Sequence, residues 1–289
     1  MNSRAALLVI GGMNLDILGH AGGAFVPGDS LPGTITSRPG GVGRNIAQQL
    51  ASLGARVELL CPLGNDQTAG VLQADCQARG IGLSHAVQTD FPSPTYLAIH
   101  GADGDMAAAI NDMRAMDAFS GPALMAALSG LSGFDACVLD ANLSEQALLD
   151  LASTLNLPLI ADPVSAAKCR RLLPILPHLQ AIKPNLMEAQ ALTGQDSVED
   201  AARFLLEQGV RQVFVSLGRE GLYFADRHNT GHLSAPPQPA VSQTGAGDAM
   251  TAGLALALAR KLPTALSAQA GIAAAADFLR TQHTTTEKM

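Results

Sequence analysis

The chain has no tryptophan, two tyrosines and eight phenylalanines, so aromatics make up only 3% of its 289 residues. The formal net charge of -7 and the lack of a basic run interleaved with aromatics disfavour a nucleic-acid surface, which needs clustered Lys and Arg. No apolar run reaches the ~20 residues required to cross a bilayer. Neither is there a CxxC pair: Cys61, Cys76, Cys137 and Cys169 are scattered, which argues against a zinc site or disulfide framework and fits a reducing cytoplasm. Internal repeats and low-complexity tracts are absent too. Arg4 followed by Ala5 to Ile10 has the outline of a secretory leader, but Gly11, Gly12 and Asp16 interrupt it too early, and a buried first strand is the better reading.

Hydrophobic residues are plentiful, at 47%, enough for one large core, so residues 1–289 read as a single α/β domain. Short apolar runs at 6–10, 57–61, 136–140, 159–162, 181–183, 213–216 and 221–224 alternate with helical patterns at 44–53, 69–79, 145–155, 186–192, 198–208, 249–260 and 263–280. That alternation predicts a three-layer fold, a mostly parallel sheet with helices on both faces. Ligands of such sheets gather at the carboxyl ends of the strands. Two segments fit poorly, 16–38 and 92–112, which are rich in Gly, Pro, Ser and Thr with β-favouring pieces such as Thr34-Ile35-Thr36 and Thr95 to Ile99. They read as a small inserted β-lid that closes over a substrate, or more plainly as two surface loops. Open strand edges on such a lid could pair between two subunits as a homodimer.

Four constellations carry chemistry. Thr244-Gly245-Ala246-Gly247-Asp248 opens a helix with small residues, whose NH groups would face negative charge, and follows them at once with a carboxylate. Asp248 is either the base that takes a proton from a substrate hydroxyl or a cap on the helix 249–260. Pro39 to Ala47 places Gly40, Gly41 and Gly43 before a helix with Asn45 one turn in; glycines allow close approach of a ligand, and an amide both donates and accepts, as a sugar diol requires. Asn14 and Asp16 leave the first strand at alternate positions, pointing the same way, either towards ribose hydroxyls or into a turn. Asn185 and Glu188 sit three apart at a helix start, where oxygen ligands could hold Mg²⁺ directly or through its waters, or simply cap the helix beside an exposed Glu.

In this order, Gly40 to Ala47, Asn185 with Glu188, and Thr244 to Asp248 resemble the ribokinase-like, or PfkB, family of sugar and nucleoside kinases over nearly the whole chain. Pro39 to Gln48, Ala109 to Met113, Leu139 to Ser144, Asp162 to Cys169 and Thr244 to Met250 further resemble its pseudouridine-phosphorylating members. The resemblance implies transfer of the ATP γ-phosphoryl group to the 5′-hydroxyl of pseudouridine. It implies that Asn14, Asp16, Gly41 and Asn45 hold the ribose, that Asp248 is the base, and that Gly245, Ala246 and Gly247 form an anion hole. Thr244, Ser216 and Gly218 would lie beside ATP, with Asn185 and Glu188 near Mg²⁺. Asn111, Lys168 and Asn142 could reach the base or a sugar hydroxyl. Ser242 stands where many members carry an acidic residue in a cation-holding loop, and Gln243 is unusual, which puts a potassium requirement in question. The polar tail 281–289 reads as disordered, and adenine contacts taken from the last helix are expected to be altered. Rival readings are a kinase for a purine nucleoside or a free sugar such as ribose, and a non-catalytic nucleoside-binding homologue.

Overall fold

The computed structural model describes residues 4–26, 28–237 and 244–286. Gln238 and Pro239 of the Pro-rich connector, and Ser242 and Gln243 with the potassium question they raise, lie outside them. The strands are β1 (Ala6–Ile10), β2 (Asn14–Ala21), β3 (Gly33–Gly40), β4 (Arg56–Leu60), β5 (Pro62–Leu63), β6 (Ile81–Gly82), β7 (Val87–Gln88), β8 (Thr95–His100), β9 (Met106–Asp112), β10 (Ala136–Asp140), β11 (Leu159–Asp162), β12 (Leu179–Ile182), β13 (Gln212–Ser216), β14 (Leu222–Asp226) and β15 (Thr230–Leu233). The helices are α1 (Val42–Ser52), α2 (Gln67–Ala78), α3 (Arg114–Asp117), α4 (Gly121–Leu128), α5 (Glu145–Thr154), α6 (Leu186–Thr193), α7 (Val198–Glu207), α8 (Ala246–Ala259) and α9 (Thr264–Thr286), with 3-10 segments at Cys169–His178 and Gly218–Glu220.

Nine strands form the main sheet, in the order β15-β14-β13-β12-β11-β10-β1-β4-β6. All neighbours pair in parallel except β13 with β14 and β14 with β15. The layering follows from side-chain alternation along the central strand, every residue of which is buried. Leu7 and Val9 enter a core with Ile46 and Leu50 of α1 and Leu254 of α8, whereas Leu8 and Ile10 enter the opposite core with Leu148 and Leu151 of α5 and Leu205 of α7. Each fully buried Leu or Ile of this kind contributes about 1.5–3 kcal/mol. The segments leaving the carboxyl ends of β1, β10, β11, β12 and β13 therefore emerge along one edge of the sheet.

The two segments that fit the core pattern poorly carry a second sheet, of order β3-β2-β8-β9. Asp16 lies opposite Arg38 and Tyr96, and Tyr96 opposite Asn111, so these side chains share one face. Ile17, Leu97 and Ile110 align across the other face, where Ile110 is 69% exposed.

Several elements differ from the sequence reading. Helix α8 begins at Ala246, three residues earlier than expected, after Gly245 in the left-handed region at φ 90°. Helix α9 continues to Thr286, through much of the tail that read as disordered. Helices α3 and α4 lie where the sequence reading has no helical pattern; α3 is only four residues long, and α4 carries Pro122 in its first turn, where Pro is well placed. Pro174 and Pro177 hid the 3-10 segment at Cys169–His178.

Candidate active site

Helix α8 places Asp248 in its first turn, and Gly245 rather than Asp248 stands at the cap position. Asp248 is therefore the third residue of the helix, an acidic group in its first turn, and not its N-cap. Gly245 cannot be replaced freely: its φ is +90°, and a Cβ there would sit 2.7 Å from the Phe278 ring of α9. The NH groups of Gly245, Ala246 and Gly247 are thereby gathered at the positive end of a 14-residue helix.

Asp248 is surrounded by other carboxylates. Burial pushes its pKa up to about 7; the negative charges of Asp162 and Asp140 add to this, while the Asn45 hydrogen bond and Lys183 oppose it. Asn45 Nδ2 donates to Asp248 Oδ2 at 2.9 Å across 203 positions of sequence. Lys183, 5% exposed, follows β12 and places Nζ 3.3 Å from Asp162 Oδ2. Burial alone would lower the Lys183 pKa, but Asp162, Glu188 and Asp248 outweigh it and hold the ammonium charged. A Cβ at Gly247 would lie 3.4 Å from this Nζ, so the buried ammonium stands against the first turn of α8. Asp162 is held further by Thr251 Oγ1 of α8, which donates to its Oδ2 at 2.7 Å.

Asp140 ends β10 beside Asp162 and is fully buried. Its oxygens accept from Gly12 N at 2.8 Å, from Asn142 N at 2.9 Å and from Asn142 Nδ2 at 3.1 Å. Asn142 Oδ1 in turn accepts from Lys168 Nζ at 2.6 Å. Lys168 is half-buried, and burial is the first cause of its lowered pKa. It lines a cavity of about 230 Å³ with Gly12, Asn14, Asn111, Asn142 and Arg171. Asp117 lines it as well, and its carboxylate makes no hydrogen bond to another described residue. Of the sugar-side candidates, Asn14 Nδ2 donates to Asp16 Oδ1 at 2.7 Å, so the pair points one way as their spacing required.

The glycines of this turn are required by the packing of the chain on itself. Gly41 has φ 96° and a Cβ there would overlap the Gly12 carbonyl, while at Gly43 it would meet the Gly11 carbonyl carbon at 2.9 Å. What approaches these glycines is the chain's own Gly11-Gly12 turn, and Arg44 N donates to Gly12 O at 3.1 Å. The turn thereby fixes Asn45 against Asp248.

Asn185 and Glu188 form a reciprocal capping box on α6, with Glu188 Oε2 accepting from Asn185 N at 2.8 Å and Asn185 Oδ1 accepting from Glu188 N at 2.9 Å. Glu188 is 6% exposed, not the exposed residue that the capping reading expected, and burial raises its pKa. Among the described residues no group of three or more His, Cys, Asp or Glu side chains is arranged to hold a metal. The two residues read as candidates for Mg²⁺, Asn185 and Glu188, each have one oxygen engaged in the capping box, so an ion there would be held in large part by its waters and by phosphate, as suits Mg²⁺, which takes few protein ligands. Ser216 N donates to Pro184 O at 2.9 Å, joining β13 to this segment, and Gly218 at φ 61° starts the turn into β14. Thr244 is exposed immediately before Gly245.

Sequence reasoning found the pieces at residues 14–16, 41–45, 185–188 and 244–248 but missed Asp140, Asp162, Lys183, Arg44, Asp117 and Arg171 as parts of one site. The signal available was a polar residue closing each of three apolar strands, as at Asp140, Asp162 and Lys183. The four cysteines are all buried, as core thiols.

Residues 4–288 match the pattern described as pfkB family carbohydrate kinase. The chain is 34% identical to the pseudouridine kinase of Escherichia coli K12 over 92% of its own length and 88% of that protein. It is 35% identical to an uncharacterized sugar kinase of the same organism, YeiI, over 86% of its own length and 70% of that one. The crystal structure of ribokinase from Thermotoga maritima superposes with a TM-score of 0.82 at 25% identity, covering 94% of this chain and 92% of that one.

Proposed function

Because the chain belongs to the pfkB family of carbohydrate kinases and has the ribokinase-like fold, we propose that it transfers the γ-phosphoryl group of ATP to the 5′-hydroxyl of pseudouridine. The observation that carries this reading is the placement of Asp248: a buried carboxylate of pKa about 7 in the first turn of α8, hydrogen-bonded to Asn45 of the glycine turn and under the influence of the Lys183 ammonium. A base with that pKa is poised near neutral pH.

Asn14, Asp16 and Asn45 hold the ribose so that its 5′-oxygen faces Asp248. As that oxygen attacks the γ-phosphorus, its proton passes to Asp248, the bond to the β–γ bridging oxygen breaks, and ADP leaves. The transition state is loose, so alignment and charge stabilisation supply most of the rate. Gly245, Ala246 and Gly247 donate to the transferring phosphoryl oxygens, and Lys183 offsets their charge from behind the helix turn. Magnesium near Asn185 and Glu188 screens the triphosphate when bound. Ser216, Gly218 and Thr244 border the nucleotide.

On the base side, Lys168 and Arg171 donate to uracil carbonyls. Pseudouridine differs from uridine by a second ring NH, and Asp117 is the acceptor we assign to it, since Asn142 is already committed to Lys168 and Asp140. An unmet buried NH costs about 1–3 kcal/mol, enough to discriminate. The YeiI likeness keeps a free-sugar substrate as the second reading. ADP release with Mg-ATP against pseudouridine, uridine, cytidine, adenosine, inosine and ribose separates them: pseudouridine should be among the best by kcat/KM, and a preference for ribose or a purine nucleoside would overturn the assignment.

The second sheet, formed by parts of 16–38 and 92–112, acts in this reading as the lid. Its outward apolar face, with Ile35 79% and Ile110 69% exposed, supports pairing of two lids in a homodimer. Sedimentation at assay concentration should give twice the chain mass; a monomer would exclude it. Among the described residues no helix is long and apolar enough to cross a membrane, which is compatible with a cytoplasmic enzyme.

A further inference from the structure

Arg44 occupies the first turn of α1, where the helix dipole disfavours a cation, and yet it is 4% exposed. A guanidinium buried there needs a compensating partner, and Asp75 of α2 supplies it: Arg44 Nε donates to Asp75 Oδ2 at 3.1 Å and Arg44 Nη2 donates to the same oxygen. Asp75 Oδ1 also accepts from Arg79 Nε at 2.9 Å. The remaining fork of the guanidinium reaches forward, with Arg44 Nη1 donating to Asn45 Oδ1 at 3.0 Å, and Asn45 Nδ2 donates onward to Asp248 Oδ2 at 2.9 Å.

The direction of the whole chain is fixed by its two ends. A guanidinium has donors only and an ionised carboxylate has acceptors only, so the Asn45 amide satisfies both in one orientation and neither in the other. With Asn45 Oδ1 accepting from Arg44 and one amide hydrogen given to Asp248, the second amide N–H and the remaining carbonyl lone pair are what Asn45 has left for a sugar.

We propose that Arg44, anchored by Asp75, is a positioning residue that locks the Asn45 amide so that its NH₂ faces the Asp248 carboxylate and the ribose. The inference rests on the reading of Asp248 as the base. It assigns a role to a residue inside the glycine turn that contacts neither substrate. Without the guanidinium the amide is free to turn, presenting a carbonyl oxygen to a carboxylate and withdrawing the hydrogen bond that favours its anion. The other charged groups facing Asp248 are Asp140 from β10, Asp162 from β11 and Lys183 from the end of β12; none of them touches Arg44, so they are common to all variants compared.

Arg44→Met, Arg44→Lys and the paired Arg44→Met/Asp75→Asn variant test this against wild type. The paired variant removes both charges together and so guards against misfolding caused by an unpaired Asp75. Expected are a fall in kcat by roughly tenfold or more in each, an unchanged KM for ATP, and an acid limb of the kcat/KM profile moved to higher pH. Lys is expected not to rescue, because a point charge cannot span Asp75 and Asn45 as a planar fork does. Folded variants that keep the wild-type kcat and acid limb while losing only thermal stability would overturn the proposal and leave Arg44 as a helix tie. An Asp248→Asn variant with normal kcat would instead remove the base reading itself, so the two failures are distinguishable.

Discussion

Asp248→Asn is expected to lower kcat by roughly 10² or more while leaving the protein folded. The substitution keeps the size and shape of the side chain while removing its negative charge and its capacity to accept a proton. Stability is the control that separates this from damage. The Asp248 pKa is raised from the ordinary 3.8 to about 7. The folded state therefore holds the proton more tightly than the unfolded state, and stability falls as pH rises through the interval between those values. A neutral Asn removes that penalty, so at pH 8 the variant's denaturation midpoint should match or exceed that of the wild type. In the wild type, kcat/KM should fall below pH about 7, where the base becomes protonated. A variant with near wild-type kcat would leave Asp248 without a chemical role.

Lys183→Met is expected to cost about 3–5 kcal/mol of stability, measured by urea denaturation, because removing one partner of a buried ion pair leaves charge uncompensated. Lys183 is 5% exposed and serves three carboxylates, Asp162 at 3.3 Å with Glu188 and Asp248 beyond it. Its loss should also raise the Asp248 pKa further and move the acid limb of activity upward. A cost below about 1 kcal/mol would mean that the carboxylates are screened by solvent and that the ammonium is not the hub of the site.

The contrast between these two residues shows what the sequence makes legible. Asp248 stands inside a local motif, small residues followed by a carboxylate, and could be singled out from five positions. Lys183, Asp162 and Asp140 each close a different strand, and only the parallel order β1-β10-β11-β12 sets them side by side. The central strands were readable because β1 is apolar at every position and buried on both faces. By contrast β15, with the sequence Thr-Gly-His-Leu, carries no apolar run. Asn185 and Glu188 were legible as a pair at a helix start, and the capping box realises that spacing; the burial of Glu188 was not legible, since it depends on how α6 packs. Arg44 is the clearest case. In the sequence it is one charged residue within a glycine turn, and its meaning comes from Asp75, 31 positions away, and Asp248, whose link to Asn45 spans 203.

The central claim is phosphoryl transfer to the 5′-oxygen of a C-linked nucleoside. Its most direct test is kcat/KM for pseudouridine against uridine with Mg-ATP, the product's phosphate being located by phosphorus–proton coupling in NMR. The expected result is a preference for pseudouridine of about tenfold, from the second ring NH, with the phosphate coupled to the 5′-methylene protons. Equal or better use of uridine, or phosphate on any other oxygen, would contradict it.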